Sequence, residues 1–150
     1  MGITYQIKYT NDSGTLQTLT YSAIGMSKGR KAQDIKIDAK QVEDRRFHVP
    51  GVDGNYMIRL GQNGGLITCD MLYIGDRVTS SVDNLDDILL ADQEAFADRE
   101  VTIVYGAHTY NNCNLLQMGK EGDYMTTGQI DPTSSNPLYI LKVKAIFQRD

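Results

Sequence analysis

A chain of 150 residues and 16.7 kDa has the mass of one domain, and 41% hydrophobic with 23% charged residues argues against broad disorder. Fifteen Lys and Arg against 19 Asp and Glu leave a net charge of −4, the wrong balance for a dedicated grip on phosphate backbones. Two Cys and two His are too few for a disulfide framework or a zinc cluster, and no apolar run approaches the ~20 residues of a membrane span.

The opening, MGITYQIKYT, has no signal-peptide core, so export by that route is not expected. Ile3, Tyr5, Ile7 and Tyr9 share one face of a first strand; Thr4, Gln6 and Lys8 share the other. Asn11 to Gly14 supplies a turn, and Leu16 to Tyr21 returns as a hairpin partner. Residues 25–34 read as an exposed loop, locally basic through Lys28, Arg30 and Lys31. A short alternation through Ile35 and Ile37 follows, within Asp34 to Val42. Residues 47–54 are turn-rich, Tyr56 to Leu60 is a short strand and 61–65 a turn. Leu66 to Ile74 is a further strand, with Ile67, Cys69, Met71 and Tyr73 on one face. Both Cys69 and Cys113 fall mid-strand, where a thiol behaves as a small hydrophobe, and reduced thiols are expected.

One helix is expected over about 83–98, carrying a stripe of Leu85, Ile88, Leu89, Ala95 and Phe96. Ser80, Ser81 and Asp83 are candidate N-caps, and Asp86 and Asp87 make the first turn acidic. Asp92 interrupts the stripe. The favoured reading is a helix break near Ala91 with Asp92 capping a second short turn; the alternative is a carboxylate paired across the core or a subunit boundary. Glu100 to Tyr105 and Thr109 to Met118 form a second hairpin, 119–137 reads as a long polar loop, and Leu138 to Gln148 alternates as the last strand. The expected fold is mainly β: an antiparallel β-sandwich or barrel with one flanking helix and long loops, in a single domain over 1–150. Its candidate strand edges are Ile3–Tyr9 and Leu138–Gln148.

The chemistry-bearing patterns are weak. Gly25 to Lys31 lacks the terminal Gly-Lys-Ser/Thr of a phosphate loop, and no βα unit follows it. His48 and His108 lie far apart beside turns, and Asp53-Gly54-Asn55 lacks the other ligands of a calcium loop. No Gly-x-Ser-x-Gly elbow is present, and the absence of Trp lowers a sugar-hydrolysing reading. No enzyme, cofactor or small-molecule substrate is expected.

Residues 65–118 run as a strand, a Gly75-Asp76 turn, an acidic amphipathic helix, then Val101-Thr102-Ile103-Val104-Tyr105-Gly106 and Thr109-Tyr110-Asn111-Asn112-Cys113-Asn114-Leu115. That succession resembles the small β-sandwich proteins of bacteriophage tails, including tail-tube, tail-tip and baseplate subunits. The resemblance implies a virion structural protein, made in the host cytoplasm, whose partners are copies of itself in a ring, hexameric by that likeness, and other tail proteins. DNA would be passing cargo only. It also implies loops at 25–55 and 119–137 that reach neighbours. The residues expected at such an interface are the cations Lys28, Arg30 and Lys31, meeting the acidic turn of Asp83, Asp86 and Asp87 on the next subunit. The alternative is a monomeric β-sandwich module that binds carbohydrate or a receptor through its polar loops.

Overall fold

The computed structural model describes residues 2–25, 27–38, 41–48, 55–63 and 65–149, with the backbone alone over 41–48 and 55–63. The turn-rich stretch expected at 47–54 lies mostly outside these. In chain order the elements are β1 (Tyr5–Thr10), β2 (Leu16–Ala23), β3 (Gly29–Ile37), β4 (Gln41–His48), β5 (Asn55–Asn63), β6 (Leu66–Gly75), α1 (Leu85–Ala97), β7 (Glu100–Tyr105), β8 (His108–Lys120), β9 (Met125–Ile130) and β10 (Pro137–Arg149).

Seven strands close into a barrel in the order β6-β3-β2-β1-β7-β8-β10, and β10 pairs back onto β6. The closing seam is long, running antiparallel from Tyr139 opposite Gly75 to Gln148 opposite Leu66. The other side of β10 pairs with β8 over Val143–Arg149 and with β9 over Pro137–Ile140. Closure corrects the expected edges. The first strand lies between β2 and β7, and the last between β6 and the β8/β9 side, so neither is an edge. The fold is mainly β with one helix, as expected, and a barrel rather than a sandwich. One junction is not antiparallel: β2 and β3 pair in parallel through Ser22–Lys31 and Ala23–Ala32.

The core follows the two-residue period of the strands. Tyr5 and Ile7 of β1, Ile67, Cys69, Met71 and Tyr73 of β6, Val101 and Ile103 of β7, and Leu141, Val143, Ala145 and Phe147 of β10 are all buried. Cys113 of β8 is a buried thiol in the same cluster. Desolvation in that core pushes the Cys69 thiol up, which keeps it protonated and unreactive.

Three expected loops are strands. Residues 25–34 contain the start of β3, and Lys31 is buried there instead of exposed, its ammonium donating to Ser27 Oγ at 2.9 Å and Ser22 Oγ at 3.4 Å. Within 119–137 lies β9, continuing along β10 beyond the end of β8. Strand β5 runs through Asn63, past the turn expected at 61–65, and pairs with β4 in a separate two-stranded sheet.

Helix α1 is unbroken from Leu85 to Ala97 and buries Leu85, Leu89, Asp92 and Phe96. Its N-cap is Asn84, whose side chain accepts from the Asp87 amide at 3.1 Å, so the expected caps at Ser80, Ser81 and Asp83 are displaced. Asp76 and Asn84 form a bridge that brings the helix start against the end of β6. Any side chain at Gly75 would collide there, because a Cβ would sit 2.4 Å from the Asp83 carbonyl oxygen. The helix also covers β8 beyond the end of its pairing with β7, where Gln93 Nε2 donates to the Met118 carbonyl at 2.8 Å.

Candidate functional site

The segment joining β2 to β3 gathers most of the charge that the sequence singles out. Lys28 Nζ donates to Asp83 Oδ2 at 2.9 Å and lies 2.8 Å from Asp131 Oδ2. One cation thus ties the residue before the helix cap to the loop between β9 and β10. That loop is built by an Asx-type turn: Asp131 accepts from the Thr133 amide at 2.9 Å and from Ser134 Oγ at 2.9 Å. A second bridge runs alongside, from Asn136 Nδ2 to the fully buried Asp76 at 3.2 Å.

The Lys28 ammonium, with the Thr133 amide and Ser134 hydroxyl, holds the Asp131 carboxyl down at about 2, from an ordinary 3.8. The same contacts, Asp131 first and Asp83 second, raise Lys28 above its ordinary 10.5. The depressed acid contributes stability that is complete above pH 3.8 and lost as pH falls through about 2. The raised base contributes stability that is complete below pH 10.5 and lost as pH rises through its folded value. Urea midpoints should therefore fall between pH 4 and pH 2, and Asp131→Asn should flatten that fall relative to wild type. Identical acid profiles for the two proteins would remove the ion pair from the account.

Two residues further on, Arg30 grips the helix. Its Nε donates to Asp92 Oδ2 at 2.7 Å and its Nη2 to Asp92 Oδ1 at 2.8 Å, a two-pronged pair. Tyr73 OH donates to the same carboxylate at 2.6 Å, and Tyr21 OH lies 2.9 Å from Tyr73 OH. Burial pushes the Tyr21 and Tyr73 phenols up, which keeps both protonated. Burial opposes the Arg30 charge, but the hydrogen bonds and charge of Asp92 outweigh it, and its pKa is raised. Asp92 is thus the paired carboxylate of the second sequence reading, inside an unbroken helix, and the break near Ala91 does not occur.

Of the expected interface residues, Lys28 and Asp83 do meet, but within one chain. Arg30 and Lys31 are turned inward to Asp92 and to serine hydroxyls. Asp86 is half exposed; the Tyr124 hydroxyl donates to it and the Lys120 ammonium lies 3.9 Å away. Asp87 is exposed. Asp92 and Asp131 were missing from that set, although Asp131-Pro132-Thr133-Ser134 has the composition of a side-chain-capped turn.

Beside Lys28 and Asp131 opens a cleft of about 380 Å³, walled by Ile130, Pro132 and Leu138 and rimmed by Ser27, Gln129 and Thr133. Among the described residues, no group of three or more His, Cys, Asp or Glu is placed to hold a metal. None of the helix residues described forms a span long and apolar enough to cross a membrane. No protein-family model matches the chain, and no curated protein does. Fold and geometry together define a class: a closed seven-stranded barrel clasped by one helix, with a two-stranded ribbon in a sheet of its own.

Proposed function

We propose that the chain is a structural subunit of a phage tail, in the tube, tip or baseplate, that assembles into rings with copies of itself and docks on other tail proteins. The observation that carries this reading is the β4–β5 ribbon. It keeps the register of the β3–β6 pairing, from Ile37 opposite Ile67 to Gln41 opposite Asn63, and two strands with no further neighbour are at best marginally stable in water, so strands of eight and nine residues call for a surface to lie on. The barrel has closed its own edges, and β9 is left at the end of the sheet order with only β10 beside it among the described residues. Chain has thus been spent on strands that the closed barrel does not use. A ribbon on one copy meeting a different surface on the next is a head-to-tail contact, which closes into a ring when the rotation permits. The lumen of such a ring passes DNA best when it is neutral or acidic, which agrees with a net charge of −4.

Light scattering on the purified protein at high concentration and low salt tests the reading. The expected mass is several times 16.7 kDa, with ring-shaped particles in electron micrographs. A 16.7 kDa species at every concentration would overturn it.

A further inference from the structure

We propose that the cleft beside Lys28 and Asp131 binds a small monocarboxylic acid with an apolar body, its carboxylate held by the Ser27 hydroxyl with the Lys31 ammonium behind it. This site goes beyond the assembly reading and does not rest on it. The observation that carries it is a buried cation without a counter-charge. Lys31 is 7% exposed, and its ammonium reaches two hydroxyls only, Ser27 Oγ at 2.9 Å and Ser22 Oγ at 3.4 Å. The neighbouring cations are paired: Lys28 with Asp83 and Asp131, Arg30 with Asp92. Lys31 forms no ion pair among the described residues, and a buried charge left in that state is costly until an anion joins it.

The two serines differ in what they leave free. Ser22 Oγ donates to the Arg30 carbonyl at 3.4 Å, so its proton is committed. Ser27 Oγ accepts from Lys31 and donates to no group among the described residues. It is exposed and lines the cleft, so a hydroxyl polarised by a buried ammonium stands on the cleft wall. A carboxylate at that point accepts the Ser27 proton and supplies the charge that Lys31 lacks.

The rest of the cleft selects the class of anion. Its walls of Ile130, Pro132 and Leu138 are apolar, and about 380 Å³ falls within the roughly 300–1,000 Å³ of small-molecule clefts. Ile130 is 62% exposed, apolar surface that an alkyl chain would cover. Lys28 and Asp131, the charges that line the cleft, cancel, and Asp83 does not line it. One positive charge remains, behind Ser27. A phosphate dianion would bring more charge than Lys31 matches, would meet the Asp131 carboxylate, and would leave the apolar walls unused. A single carboxylate on an apolar body uses both the cation and the walls.

Octanoate is the probe. Titrated into the folded protein at neutral pH and followed by calorimetry, it should bind saturably. Octanol, with the same chain and no charge, should bind roughly tenfold more weakly or worse. Lys31→Met keeps the length of the side chain and removes its charge. It should weaken octanoate by roughly tenfold or more while leaving octanol unchanged. Ser27→Ala should weaken octanoate in the same direction. Circular dichroism melts establish that each variant is folded, and Ser27→Ala, at an exposed position, decides the matter if Lys31→Met does not fold. Octanoate bound equally by wild type and the folded variants, octanol bound as tightly as octanoate, or inorganic phosphate displacing octanoate at equal concentration would each overturn the site. So would octanoate that never saturates. None of these outcomes touches ring formation.

Discussion

Replacing Asp92 by Ala should cost about 3–5 kcal/mol of stability, with the lower end expected because Arg30 keeps 28% of its side chain exposed. The loss comes from what stays behind. Arg30 would keep its charge without the two-pronged partner, and the Tyr73 hydroxyl would lose its acceptor at 2.6 Å. Replacing both ends with apolar residues of similar size, Arg30→Met with Asp92→Leu, should be far milder, since a buried ion pair is often no more stabilising than good packing. Urea unfolding of the single and double variants checks the contrast. Equal losses in the two would mean that the network contributes through something other than charge pairing.

Phe96→Ala should cost about 3–5 kcal/mol, because the ring is fully buried at the junction of helix and barrel. Its centroid lies 5.8 Å from Tyr9 and 6.0 Å from Phe147, both in edge-on contact, so truncation opens a hole between α1, β1 and β10. A measured loss below ~1 kcal/mol would place the helix outside the cooperative core.

The strands with one face on the core could be read from the sequence because alternation records burial on one side. The face expected for β6 is the one the barrel buries, and the alternation expected of β10 is there as buried Leu141, Val143, Ala145 and Phe147, with Tyr139 only partly covered. The strands that escaped are those that do not alternate. In β3, Lys31 and Ala32 are buried in succession, which breaks the period. In β9, Met125, Thr126, Gly128, Gln129 and Ile130 are all exposed, so no apolar pattern exists to find. In β4, Glu43 to Arg46 is an unbroken run of charge, which a window on polarity reads as a loop. The role of Asp92 failed for a different reason. Its partner lies 62 residues earlier, and a charge inside an apolar stripe looks like a helix break when only its neighbours are visible. The meeting of Lys28 with Asp83 was anticipated by charge, but sign alone does not say whether two residues belong to one chain or two.

The seam between β6 and β10 sets the order in which this molecule can be completed. Strand β10 is the last of these strands to leave the ribosome, yet it carries three sets of backbone pairings, to β6, β8 and β9. Until it arrives, β6 and β8 each expose a row of unpaired backbone groups, and the cleft lacks Leu138 from its wall. Synthesis thus works as a timer: the barrel stays open until β10 has zipped into place, and on the assembly proposed above a chain becomes competent to join its neighbours only then.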